Sequence, residues 1–196
     1  MHQKILVTYA TLSGSTREVA EAVASELGKD GVITDVQRFE EVENISPYAA
    51  VVAGGPMVLG WHRGAVKFLK KHQQSLSKIP LAYFITAMSL TRTRQKDVDG
   101  VPIFVDPSMG SCPQKPDRRS SRERYASVDN YLGPVLKQTP LIRPVSVAFF
   151  GGKLDYSSLN LPQLLFVRLI IRVPPGDQRN WGAIREWATG LYTLFA

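Results

Sequence analysis

The sequence predicts an α/β fold: a parallel sheet with helices on both faces. Short apolar runs alternate with segments of helical periodicity, several of those runs are apolar at nearly every position, and a hydroxyl-rich turn follows the first. Strands apolar on both sides belong to sheets covered on both sides, and alternating strands and helices imply right-handed parallel crossovers.

The first strand is Ile5-Leu6-Val7. Arg17 to Leu27 carries Val19, Ala20, Val23, Ala24 and Leu27 on one 3.6-residue stripe, closed by Gly28, and reads as the first helix. Gly31 to Val36 reads as strand two and Tyr48 to Gly55 as a fully buried strand three. Ala65 to Leu76 reads as a helix with Lys67, Lys70 and Lys71 outward. Leu81 to Met88 and Val145 to Gly152 supply strands four and five. Trp181 opens a final helix whose Ile184, Ala188, Leu191 and Leu194 are expected to face the sheet.

Two stretches interrupt this alternation. Residues 89–124 are rich in proline and charge, with apolar patterning only at Val101-Pro102-Ile103-Phe104-Val105, and read as a long, partly mobile loop insertion. Tyr125 to Lys137 then reads as a helix returning to the sheet. The second stretch, about 153–175, is apolar and basic. Its core, 161–173, is shorter than the ~20 apolar residues a bilayer span needs. It reads either as a helix packed on the protein's own core or as an interfacial helix with Arg168 and Arg172 at lipid headgroups.

A chain of 196 residues suits one domain, here 1–196, and its 44% hydrophobic and 21% charged residues are ordinary for a globular protein. The lone Cys112 excludes an internal disulfide and fits a reducing compartment. Met1-His2-Gln3-Lys4 runs straight into a strand, so the expected location is cytoplasmic, with peripheral contact at the inner face of the cell membrane as an extension. Of the net charge of +7, residues 1–90 contribute 9 cations against 8 acids and residues 91–196 contribute 15 against 9. The basic excess therefore belongs to one region, which fits an anionic membrane face or acidic partner. No nucleic-acid-binding signature is present, and no nucleic-acid partner is expected.

The turn Thr11-Leu12-Ser13-Gly14-Ser15-Thr16 carries the chemistry. A strand delivers the chain to it, Gly14 permits close backbone approach, and the next residues begin a helix whose unpaired amides and partial positive charge suit an anion. The alternative is a simple N-cap. Neither the Walker loop nor the dinucleotide fingerprint is present. No cluster suggests a metal site.

These residues resemble the FMN-phosphate pattern of the flavodoxins, [Thr/Ser]-x-[Thr/Ser]-Gly-x-Thr. The resemblance implies a flavodoxin-like three-layer sandwich with a five-stranded parallel sheet in order 2-1-3-4-5. It implies FMN as cofactor, with Thr11, Leu12, Ser13, Gly14, Ser15 and Thr16 around its phosphate. The ring is then expected between Pro56, Met57, Val58, Leu59, Gly60 and Trp61 and the segment Ala87, Met88 and Ser89. Trp61 or Met57 would supply a flat face; Trp61 reads equally as a partly buried loop anchor. His62 and His72 read as surface residues more readily than as acids. No catalytic side chain is assigned, since the cofactor carries the redox chemistry.

Carrier flavodoxins are typically acidic, whereas this chain has a pI near 9.6. Gly60-Trp61-His62 with the helix to His72, the run Gly151-Gly152-Lys153-Leu154-Asp155-Tyr156, and the segment Leu161 to Val173 are similar to the quinone-dependent protoporphyrinogen oxidases. That likeness implies a small-molecule reductant such as protoporphyrinogen and a quinone or redox-protein acceptor. It places Lys153, Tyr156, Arg168 and Arg172 at the substrate or membrane side. The alternatives are a soluble electron carrier or small quinone reductase on the same FMN, and a flavin-free partner-binding module.

Overall fold

A computed structural model describes residues 4–57, 60–91, 94–110, 120–158, 161, 165 and 174–195. Strand β1 (Lys4–Tyr9) leads into helix α1 (Ser15–Leu27), and β2 (Ile33–Arg38) and β3 (Ala50–Pro56) follow. Helices α2 (Arg63–Lys71) and α3 (Gln73–Leu76) precede β4 (Leu81–Ala87). The chain continues through β5 (Asp97–Val98), β6 (Val101–Val105), α4 (Ser121–Tyr125) and α5 (Val128–Gln138) to β7 (Ser146–Gly151). A two-stranded ribbon of β8 (Lys153–Leu154) and β9 (Gly176–Asp177) then leads to α6 (Trp181–Phe195).

The sheet has seven strands in the order β2-β1-β3-β4-β7-β6-β5, parallel except for the β5–β6 pair. Its first five strands are the five expected ones in the expected order. The five-stranded count is corrected by β5 and β6, which lie within the stretch expected to be a loop. An Asp99-Gly100 turn, with φ of 51° and 75°, closes this hairpin. Such a dipeptide supplies the two left-handed residues of a tight hairpin turn. Val101, Ile103, Phe104 and Val105 then extend the sheet, with β6 parallel to β7.

Strand alternation divides the core into two layers. Ile5, Val7, Val52, Phe84, Ala148 and Phe150 face α1 and α6, packing on Val19, Val23, Ile184, Trp187 and Leu191. Leu6, Val51, Tyr83, Ile85, Val147 and Phe149 face α2 and α5, packing on Phe68, Leu69, Leu132 and Val135. Both sheet faces are thus buried, as the continuous apolar strands require. In α6, Ile184, Ala188 and Leu191 are buried as expected, but Leu194 is 44% exposed, and Trp187 and Phe195 fill the sheet-facing stripe instead.

Two expected helices are each divided. The 65–76 helix starts earlier and breaks at His72, where α2 ends and α3 begins. The 125–137 helix begins at Val128, because Ser127 is extended and its side chain caps the Asn130 amide.

Candidate functional site

The carboxyl ends of the parallel strands converge on one edge of the sheet, where ligands of open α/β sheets bind. In register, Tyr9 lies beside Gly54, Pro56 beside Thr86, and Ala87 beside Gly151. The turn after β1, the loop after β3 and the loop after β4 therefore leave the sheet as neighbours.

Gly14 is the N-cap of α1 and adopts φ 86°, ψ −21°. Its amide donates to Thr11 Oγ1 at 2.9 Å, which folds the turn on itself. No side chain among the described residues caps α1. A hydroxyl-rich turn serving only as an N-cap would place a Ser or Thr oxygen on those amides. Here the cap residue has no side chain, and a Cβ built on Gly14 would meet no atom within 4 Å. The first-turn amides of α1 thus lack a side-chain cap, and the space above Gly14 is open. Leu12 is 67% exposed, Ser13 is exposed, and Thr11 and Ser15 are half-buried. Thr16 is buried and its hydroxyl meets Thr86 Oγ1 at 3.3 Å.

Thr86 joins the three loops. Besides its hydroxyl contact with Thr16, its carbonyl accepts the Met57 amide at 2.8 Å. Met57 forms a bridge with Trp61, and the His62 amide donates to the Pro56 carbonyl, closing the loop after β3. Gly60, at φ 118°, lies exposed in this loop; Val58 and Leu59 lie outside the described residues. Trp61 turns inward: its indole N–H donates to the Gly55 carbonyl at 3.2 Å, and its ring packs 5.2 Å from Tyr83. After β4, Ala87 is buried and Met88 and Ser89 are half-buried, with the Ser89 carbonyl accepting from Tyr131 Oη at 3.1 Å.

Next to the loop after β3, a groove of about 380 Å³ is lined by Trp61, Arg63, Val66, Lys67, Lys70 and Gln138. None of its three cations has a carboxylate partner among the described residues. On the far side, Lys153 is exposed on β8 and Tyr156 is half-buried. Arg168 and Arg172 lie outside the described residues, and Leu161 and Leu165 are 69% and 49% exposed. No helix among the described residues is long and apolar enough to cross a membrane.

The sequence reading missed one set of residues. Arg179, in the connection from β9 to α6, reaches the N-terminus of α1. Its Nη1 donates to the Ser15 carbonyl at 3.2 Å and to Glu18 Oε2 at 2.9 Å. Asp177 holds the same guanidinium through two oxygens, at 2.8 and 2.6 Å, and the group lies 4.6 Å from the Trp181 ring centre. Hydrogen bonding lowers the Asp177 pKa and raises that of Arg179. Nothing in the local pattern Asp177-Gln178-Arg179-Asn180 shows that it meets a turn 164 residues earlier in the chain.

A parallel α/β sandwich with a hydroxyl-rich, glycine-capped turn after its first strand defines the class, a flavodoxin-type protein. The Flavodoxin domain family matches residues 6–180, and the chain belongs to that family. It is 25% identical over 189 residues to the protoporphyrinogen IX dehydrogenase [quinone] of Escherichia coli strain K12, covering 94% of this chain and 88% of that one. The enzyme of the same name from Leishmania major is 22% identical over 203 positions, covering 97% and 75%. Among solved structures, a flavodoxin from the domain Archaea superposes with a TM-score of 0.52 at 12% identity, covering 98% of this chain and 99% of that one.

Proposed function

We propose that this chain is an FMN-dependent oxidoreductase of the quinone-linked protoporphyrinogen oxidase type. The observation that carries the cofactor is the uncapped α1 N-terminus at a left-handed Gly14, open above and rimmed by Thr11, Ser13 and Ser15. Those residues and the first-turn amides of α1 would hold the phosphate. The loops Pro56 to Trp61 and Ala87 to Ser89, joined through Thr86, would border the ring. When bound, FMN supplies two-electron redox chemistry.

The substrate reading is supported by the near full-length similarity to two enzymes with that name and by the basic charge. A reduced tetrapyrrole bearing propionates would be drawn by Arg63, Lys67 and Lys70 on one side of the ring loops and by Lys153 on the other. Exposed Leu161 and Leu165 favour contact with a membrane surface, where a quinone acceptor resides, over packing on the protein's own core. Arg168 and Arg172 belong to the same proposed contact.

The experiment is a visible spectrum of the protein after FMN is added and the free cofactor removed, followed by oxidation assays with protoporphyrinogen and a quinone. About one flavin per chain with quinone-dependent turnover is the expected result. Retained flavin with rapid one-electron exchange and no turnover would assign a carrier. A colourless protein would overturn the FMN reading.

A further inference from the structure

We propose that Arg179 is a positioning residue for the phosphate end of the cofactor: it offsets the charge of Glu18 and holds its carboxylate aside, keeping the first turn of α1 receptive to a dianion. This rests on the FMN reading above. Glu18 is the acidic residue of the α1 first turn. An acid there stabilises a free helix, but beside a bound phosphate it places like charge against like charge. The nearest cation in sequence does not relieve this, since Arg17 is engaged with Glu21 at 2.7 Å.

Arg179 does. Its planar fork binds Glu18 through one arm and Asp177 through Nε and Nη2, a geometry a lysine cannot reproduce. The Arg179 side chain is only 4% exposed, so its charge is screened less than that of a surface cation. The same Nη1 that binds Glu18 also donates to the Ser15 carbonyl. The arm that holds the acid therefore also fixes the first helical residue of the turn.

The segment carrying Arg179 is itself fixed. The Gln178 amide donates to the Gly152 carbonyl, and a Cβ on Gly151 would stand 1.9 Å from the Gln178 carbonyl oxygen, so the segment crosses directly over the end of β7. Asn180 accepts the Ala183 amide at the start of α6 and donates to Oδ1 of fully buried Asp106 at 3.0 Å. Arg179 is thus presented to α1 from a rigid support.

The test compares FMN with riboflavin, which carries the same ring without the phosphate. Fluorescence titrations give the affinity ratio for wild type, Arg179→Gln, Glu18→Gln and the double variant. Arg179→Gln is expected to lower the FMN-to-riboflavin ratio on the order of tenfold at low salt, and less at high salt. Adding Glu18→Gln to it should recover most of that loss. Glu18→Gln alone, a half-exposed change that leaves the core untouched, should raise the ratio a few-fold. Equal weakening of both flavins by Arg179→Gln, or an unchanged ratio in Glu18→Gln, would overturn the proposal and leave Arg179 a structural tie. Failure of the wild type to bind FMN at all would instead overturn the cofactor reading, and this proposal with it.

Discussion

Replacing Gly14 by alanine tests the cradle at its most constrained point. Gly14 holds φ 86°, where an L-residue loses about 1–2 kcal/mol. No atom lies within 4 Å of the new Cβ, so steric clash adds nothing in the ligand-free protein. Alanine also restricts the unfolded chain, which offsets about 0.4–1 kcal/mol of that cost. The expected net loss is roughly 1 kcal/mol, or about 2–4 °C in Tm for a chain of this size. Ligand binding should suffer more, because the methyl group enters the space through which a phosphate approaches the first-turn amides. A hydrogen bond to a charged group contributes about 1.5–3 kcal/mol, so losing one weakens FMN by about 10- to 100-fold. Riboflavin should be almost unaffected. Urea unfolding of the ligand-free variant and parallel titrations with the two flavins measure both effects. A stability loss with an unchanged FMN-to-riboflavin ratio would place the phosphate elsewhere and refute the reasoning.

Five further outcomes follow from the same structure. Lys4 at 2.8 Å and then the Tyr48 hydroxyl hold the Asp35 carboxyl below its ordinary range, so this contribution is present above the unfolded pKa and lost as pH falls through the lowered folded value. Asp35→Asn should flatten the acid limb of stability against pH in urea titrations. Burial and then the Asp35 contact push Tyr48 up to about 12, a contribution present below its unfolded pKa and lost as pH rises through the folded one; Tyr48→Phe should flatten the alkaline limb. Leu69→Ala, at a fully buried position of α2, should cost about 3–5 kcal/mol by denaturant unfolding. Trp61→Phe should cost about 0.5–1.5 kcal/mol by removing the indole hydrogen bond to the Gly55 carbonyl, with riboflavin affinity unchanged; a large loss of riboflavin binding would show that the indole contacts the ring. Replacing exposed Leu161 and Leu165 by serine should reduce flotation with anionic liposomes if they meet the lipid surface.

The parts of the fold visible in the sequence are those set by local periodicity. The stripe from Val19 to Leu27 and the unbroken apolar runs of β3, β4 and β7 determine their elements wherever they sit. The parts that were not visible depend on pairing. Val101 to Val105 forms a strand because β7 offers it an open edge, and the charged residues around it hid both that edge and the Asp99-Gly100 turn that signals a hairpin. His72 and Ser127 divide helices whose apolar patterns run on without interruption, since Phe68 and Leu76 on either side of His72, and Ala126 and Val128 on either side of Ser127, belong to one buried cluster. At the site, the Thr11 to Thr16 motif was legible because its chemistry is contiguous. The contact of Thr86 with Thr16 and the reach of Arg179 to Ser15 and Glu18 were not, because each joins residues far apart in the chain.

Trp61 links the ring loops to the choice of redox partner. With its indole N–H on the Gly55 carbonyl and its ring against Tyr83, this side chain belongs to the core layer under α2 and α5. With the indole held there, the polar backbone around exposed Gly60 would form the border of the proposed cofactor site. The cations Arg63, Lys67 and Lys70 begin immediately beyond that border, and Lys67 and Lys70 are exposed. A redox protein that docks through a basic patch would be repelled by them, whereas an anionic small molecule would be drawn toward the uncovered edge. The inward turn of one tryptophan and the charge of the next helix are thus consistent with the proposed function, in which an anionic donor would meet the cofactor directly.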